Sequence, residues 1–139
     1  MKVSARNQLH GTVTKVIKGM VSTEVDLMLD GGDTVAAVIT NKGAENIGIK
    51  EGSKAYAIIK ATSVILSKGS ADDISARNNL CGIVKTMIEG QVNTEIDIKL
   101  PGGSVITAIL TKEGAQKMQL AEGSSICAIF KASNVILGV

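Results

Sequence analysis

The sequence is poor in aromatic residues: Tyr56 and Phe130 are the only ones among its 139 residues. Proteins that bind single-stranded nucleic acid usually stack the bases on aromatic side chains inside a basic groove. The 15 basic and 13 acidic residues nearly balance, so the chain also lacks the charge excess that favours nucleic acid or a membrane surface. A single-stranded nucleic-acid-binding module is therefore only the alternative function, and we expect neither nucleic acid nor a membrane as a partner.

Other scarcities argue against catalysis, export and membrane insertion. His10 is the only histidine, and the sequence shows no pairing of a nucleophile with a base and no metal-ligand cluster. We therefore expect no enzyme, no catalytic residues and no directly bound metal. No apolar run approaches the roughly 18 residues of a membrane span. The N-terminal "MKVSARNQ" lacks the apolar region of a signal peptide, so we expect a cytoplasmic protein.

Cysteine is nearly absent as well. Cys81 and Cys127 do not have the spacing of metal ligands. We interpret them as two half-buried strand residues in a reducing cytoplasm, and the sequence leaves open whether they form a disulfide.

What the chain does contain is an internal repeat. "SARN" at residues 4–7 returns at residues 75–78, and "VIL" at residues 64–66 returns at residues 135–137 with the same offset of 71. Roughly 30 of 64 aligned positions are identical, which indicates duplication. The polar segment "SKGSADD" joins the copies, so we predict two domains, at residues 1–68 and 69–139.

Each copy has the sequence pattern of a small β-barrel. Three segments that alternate apolar and polar residues are followed by one or two turns of predicted helix, and then by a fourth strand and a short fifth strand with "VIL". The second and third strands are joined by "DGG" or "PGG", which indicates a hairpin turn. The predicted fold is all-β: two tandem small OB-like Greek-key β-barrels, each with one short helix. One copy buries little core, so we expect the copies to pack together or to oligomerise.

These motifs together resemble the Mop domain family of small molybdate-binding barrels. "SARN", "EVD" or "EID" in the second strand, the "GG" hairpin and "KA" followed by "VIL" occur in register in both copies, over essentially the whole chain. The chain thus resembles the tandem, di-Mop type. That resemblance implies binding of molybdate or tungstate as an oxyanion, without chemistry or an organic cofactor, for molybdenum storage, buffering or homeostasis. It also implies a homotrimer, with one class of site built from "SARN" of one domain and "KAS" of a neighbour.

The two strings also make chemical sense as a binding site for a tetrahedral dianion. Such an anion is held by backbone N–H groups, hydroxyls and one or two cations, and neither string contains a carboxylate. Residues of these types are also common at strand ends without a ligand; it is the recurrence of both strings that favours a site. The candidate ligand-binding residues are Ser4, Ala5, Arg6, Asn7, Lys60, Ala61, Thr62 and Ser63 in the first copy and Ser75, Ala76, Arg77, Asn78, Lys131, Ala132, Ser133 and Asn134 in the second.

A second class of oxyanion site is predicted at the first hairpin of each copy, since the family has one near its trimer axis. A simple hairpin turn is an equally good interpretation of these segments. The candidate residues are Gly19, Met20, Val21 and Ser22 in the first copy and Gly90, Gln91, Val92 and Asn93 in the second. We interpret Glu24 and Glu95, which follow these turns, as structural because a carboxylate repels an anion unless a base neutralises it.

Overall fold

The protein folds into ten short strands and two short helices over the residues that its computed structural model describes, 2–69 and 72–139. The first half contains β1 (Asn7–Lys18), β2 (Ser22–Leu29), β3 (Thr34–Thr40), α1 (Asn41–Ile47), β4 (Lys54–Ile59) and β5 (Ile65–Ser67). The second half contains β6 (Asn78–Glu89), β7 (Asn93–Lys99), β8 (Val105–Thr111), α2 (Lys112–Lys117), β9 (Ser125–Phe130) and β10 (Ile136–Gly138). The prediction of two all-β barrels, each with one short helix, is confirmed.

The alternation of residue types explains the strands. In β2, Val25 and Leu27 are fully buried, whereas Glu24 and Asp26 between them are partly exposed. Because successive side chains of a strand point to opposite faces, this pattern buries one face of the sheet and exposes the other. Both helices begin in the same way, since the hydroxyl of Thr40 or Thr111 accepts a hydrogen bond from the backbone N–H three residues later.

The two sheets exchange their last strands. The strand order is β10-β4-β1-β2-β3 in one sheet and β5-β9-β6-β7-β8 in the other. Leu137 of β10 lies opposite Ala57 of β4, and Leu66 of β5 lies opposite Ala128 of β9. Each barrel therefore takes its fifth strand from the other repeat, whereas the sequence analysis assigned that strand to its own copy.

The exchange could not be predicted because the two exchanged segments carry the same "VIL" string, so either one fits either sheet. The domain boundaries at residues 1–68 and 69–139 stay a prediction that describes the sequence repeat. In the fold, residues from both halves form one buried cluster, which includes Leu27 and Phe130.

The halves also meet at their glycine hairpins. A Cβ atom on Gly31, between β2 and β3, would lie 2.2 Å from the carbonyl oxygen of Gly102, between β7 and β8. A Cβ atom on Gly102 would lie 2.1 Å from the carbonyl oxygen of Gly31. Only glycine permits this approach of one backbone to the other, which explains the first glycine of each "GG". The second, Gly32 or Gly103, has a positive φ of 99° or 96°, a backbone conformation that favours glycine.

Candidate functional site

Strand pairing brings the two donor strings of each repeat together. Asn7 at the start of β1 lies opposite Ile59 at the end of β4, and Asn78 lies opposite Phe130 in the same way. Because the strands are antiparallel, the "SARN" residues that precede one strand lie beside the "KA" residues that follow the other. Both strings of one repeat therefore flank the same surface depression.

Each depression has a wall from the other repeat. The first depression, about 250 Å³ in volume, is lined by Ser4, Ala5, Arg6, Lys60, Ala61 and Thr62, with Ile109 of β8. The second depression, about 430 Å³, is lined by the equivalent residues Ser75, Ala76, Arg77, Lys131, Ala132 and Ser133, and also by Asn134, with Val38 of β3 and with Ser63 and Ile65 of the first repeat. A third hollow adjoins both donor sets, because Ser4, Lys60 and Ser63 border it together with Ser133 and Asn134.

The lysine ammonium groups are available to an anion. Lys60 and Lys131 each follow the last residue of a strand and are exposed, while the next residue, Ala61 or Ala132, is buried. A single 3₁₀ turn follows each lysine, closed by a 2.9 Å hydrogen bond from the backbone N–H of Ser63 or Asn134 to the lysine carbonyl. Within residues 2–69 and 72–139, neither lysine forms an ion pair.

The two asparagines of the "SARN" strings instead join the two halves. The side-chain amide of Asn7 donates to the carbonyl of Thr107 at 2.8 Å and accepts from its N–H at 2.7 Å. Asn78 forms the same pair of bonds with Ala36. Both asparagines are buried, and their amides are bonded to the backbone of a strand in the opposite repeat. As anion ligands Asn7 and Asn78 stay predictions.

The two arginines are also paired across the halves. Arg6 forms an ion pair with Glu95 of β7, and Arg77 forms one with Glu24 of β2. The hydrogen bond to the glutamate, and then its negative charge, raise the pKa of each arginine. Glu24 and Glu95 were interpreted from the sequence as structural, because a carboxylate repels an anion unless a base neutralises it. In the structure each glutamate has such a base, Arg77 or Arg6. In the sequence, the one indication of these ion pairs was that the arginine and the glutamate recur at matching positions of the two copies.

The first hairpin of each copy forms a closed turn. The N–H of Gly19 donates to the carbonyl of Ser22, and the N–H of Gly90 donates to that of Asn93, each at 2.8 Å. The apolar side chains at the tips are strongly exposed: Met20 is 101% exposed, Val21 87% and Val92 76%. The predicted second class of oxyanion site at Gly19–Ser22 and Gly90–Asn93 stays a prediction, while the apolar tips indicate a surface that another chain could cover.

The first hairpins of the two copies differ in the side-chain hydrogen bonds around them. In the first repeat, Thr23 donates to Asn41 at 2.7 Å, and Asn41 donates to the carbonyl of Gly19 at 3.0 Å. In the second repeat Lys112 replaces Asn41, and the buried hydroxyl of Thr94 has no hydrogen-bond partner among the described residues. The two copies of this candidate site are therefore chemically unequal.

Cys81 and Cys127 are joined by a disulfide. They lie directly opposite each other on β6 and β9, at the positions that His10 and Tyr56 occupy on β1 and β4. Both cysteines lie on strands, as interpreted, but Cys81 is exposed and Cys127 is buried, so neither is half-buried. The sequence leaves their pairing open because it does not give the strand register that places the two residues together. His10 contacts the Tyr56 ring edge-on at a centroid distance of 5.0 Å, and its Nδ1 lies 2.9 Å from the carboxylate of Asp30.

The described part of the chain offers neither a metal-ligand cluster nor a membrane-spanning helix. Residues 2–69 and 72–139 contain no group of three or more His, Cys, Asp or Glu side chains that could hold a metal ion. Among the helices of those residues, neither has the length and apolar character that crossing a membrane requires.

Known proteins are similar to this chain along both of its repeats. The model of a family described as the TOBE domain matches residues 3–66 and 74–137. The chain is 44% identical over 140 residues to the molybdenum-pterin-binding protein MopA of Rhodobacter capsulatus, covering 100% of this chain and 53% of MopA. It is 42% identical over 139 residues to the molybdenum transport protein ModE of Azotobacter vinelandii, covering 100% of this chain and 52% of ModE. The chain thus spans about half the length of these curated relatives.

A solved structure matches along its whole length. It is the cytoplasmic molybdate-binding protein ModG in a form with molybdate bound, which is 46% identical to this chain with a TM-score of 0.95. The match covers 100% of this chain and 99% of that one.

Proposed function

Because the chain belongs to the TOBE domain family, with two copies in tandem, we propose that it binds molybdate or tungstate as an intact oxyanion and catalyses no reaction on it. The observation that carries the proposal is the pair of ion-pair-free lysines, Lys60 and Lys131, each set beside hydroxyl groups in a depression. Their ammonium groups and the neighbouring hydroxyls are donors, which suits a ligand whose oxygens only accept. The full-length likeness to a molybdate-bound protein supports the same ligand.

The proposed role is intracellular storage, buffering or homeostasis of molybdenum in the cytoplasm, without an organic cofactor. We also propose that the chain has no nucleic-acid partner. The support for that is the scarcity of aromatic side chains and the net charge of +2, since stacking and a basic groove are what single-stranded nucleic acid requires.

The selectivity of the depressions tests the proposed ligand. We expect molybdate and tungstate to bind alike, because the two anions are nearly the same size and charge. Phosphate should bind far more weakly, since near pH 7 much of it carries a proton that finds no ready acceptor among the donors, and an unpaired polar group costs about 1–3 kcal/mol. Sulfate carries no proton, so it must be rejected by its shorter bonds to oxygen.

Competition titration of bound molybdate with each anion measures this selectivity. The ionic strength is matched throughout, because screening alone weakens any anion site. Displacement of molybdate by an equal concentration of sulfate would reduce the depressions to generic anion sites and refute the proposal.

We further propose that the chain forms a homotrimer that shares its anion sites between subunits. The exposed apolar side chains support this, both on the hairpin tips at Met20, Val21 and Val92 and beside the depressions at Ile65 and Ile136. Monomeric proteins rarely leave such patches uncovered. Light scattering coupled to size exclusion should give three times the chain mass of 14.4 kDa. A monomer at micromolar concentration, with and without molybdate, would contradict it.

A further inference from the structure

At each proposed anion site, a glutamate of the opposite repeat forms an ion pair with the arginine of the site. Glu95 on β7 lies opposite Ile109 of β8, the residue that forms the far wall of the first depression. Glu24 on β2 lies opposite Val38 of β3, which takes the same place in the second depression. Each glutamate binds the arginine that lines that depression. The arrangement occurs twice, with the roles of the two repeats exchanged.

These ion pairs are poorly placed to serve stability alone. The arginine side chains are about half exposed, at 49% for Arg6 and 52% for Arg77, and exposed ion pairs contribute little to folding. The asparagine that follows each arginine already attaches the "SARN" segment to the other repeat. Asn7 is bonded at both ends of its amide to Thr107, and Asn78 to Ala36.

The glutamates do change the charge that an anion meets. Each depression contains one lysine and one arginine, and the arginine charge is balanced by the glutamate. A dianion therefore meets one uncompensated positive charge instead of two. The carboxylate also holds the guanidinium toward β7 or β2.

We propose that Glu95 and Glu24 are positioning residues. They keep the guanidinium groups of Arg6 and Arg77 from closing on a small anion and thereby set the anion selectivity of each depression. This inference rests on the proposed function. A guanidinium held in the wall leaves the donors spaced for a large oxyanion. A released guanidinium is free to close on a smaller one, and loss of the carboxylate removes a charge that repels every anion. Sulfate then gains from both changes, whereas molybdate, which already fits, gains mainly from the second.

The test compares the double variant Glu24→Gln/Glu95→Gln with the wild-type protein. Both are titrated with sodium molybdate and with sodium sulfate at matched ionic strength. We expect the dissociation constant for sulfate to fall by about tenfold and that for molybdate to fall less, so that the preference for molybdate decreases. The control is Glu45→Gln, which removes the exposed ion pair of Lys18 and Glu45, at 3.2 Å, without touching either depression. Its two dissociation constants should equal those of the wild type.

Two results would overturn the inference, and they are distinct. Wild-type protein that binds no molybdate would refute the proposed function together with it. A folded double variant with the wild-type ratio of sulfate to molybdate affinity would refute the positioning role alone. If the double variant does not fold, Glu24→Asp/Glu95→Asp replaces it. That variant keeps the charge, but its shorter side chain reaches the guanidinium less well and releases it in part. The ratio of sulfate to molybdate affinity should therefore shift in the same direction by a smaller factor.

Discussion

Replacement of Lys60 or Lys131 by alanine is expected to weaken molybdate binding at the affected depression by about 1.5–3 kcal/mol, which is roughly 10- to 150-fold in Kd. The lysine is the one cation of each depression that has no carboxylate partner among the described residues. A hydrogen bond from a charged donor to a charged acceptor is among the stronger polar contacts in proteins. The double variant should lose high-affinity binding at both depressions.

The fold should survive these substitutions. Lys60 and Lys131 are exposed at the ends of β4 and β9, and the core contact at this point is made by the buried alanine that follows each of them. Calorimetric titration gives the binding, and thermal unfolding checks the fold. Lys15→Ala is the matched control, since Lys15 is an exposed strand lysine that lines neither depression. Unchanged molybdate binding in the Lys60→Ala/Lys131→Ala variant would move the site elsewhere, with the hairpins at Gly19–Ser22 and Gly90–Asn93 as the next candidates.

Reduction of the Cys81–Cys127 disulfide is expected to lower the free energy of unfolding by about 2–4 kcal/mol. The two cysteines are separated by 46 positions in the sequence, so the bridge restricts a long segment of the unfolded chain. For a chain of this size the loss corresponds to a decrease in Tm of roughly 5–15 °C. Circular dichroism melts with and without a dithiol reductant measure it.

A variant without the bridge provides the control. Cys81→Ser/Cys127→Ser should melt at the temperature of the reduced wild type and should not respond to reductant. His10 and Tyr56 occupy the equivalent positions of the first repeat. Neither is a cysteine, so no second bridge masks the effect. Two titratable thiols in the native protein before reduction would contradict the pairing.

Much of the fold follows from local features of the sequence. The alternation of β2 predicts which side chains are buried, and "GG" in each copy predicts the hairpins. The helix of each repeat follows from the break in alternation after Thr40 and Thr111. The two sides of the candidate site were also predictable in part, because "SARN" and "KA" stand at opposite ends of a repeat whose first and fourth strands pair.

The remaining features depend on tertiary contacts, most of them between the repeats, which a duplicated sequence does not specify. Since the two exchanged segments share the string "VIL", that string does not distinguish a strand that stays in its own barrel from one that crosses to the other. The bonds of Asn7 to Thr107 and of Arg6 to Glu95 likewise join residues about 90 to 100 positions apart. The pairing of Cys81 with Cys127 required the register of β6 against β9. Each of these contacts is set by tertiary packing.

Elemental analysis of the protein purified from its native cells is the most direct test of the central claim, that this chain is a selective oxyanion-binding protein. Molybdenum, tungsten, sulfur and phosphorus are measured against protein mass after the free anions have been removed. Molybdenum or tungsten is expected in stoichiometric amount, with sulfur at the level of the two cysteines and five methionines and no stoichiometric phosphorus. Protein from molybdate-replete cells that retains neither molybdenum nor tungsten, and that takes up neither on titration, would contradict it.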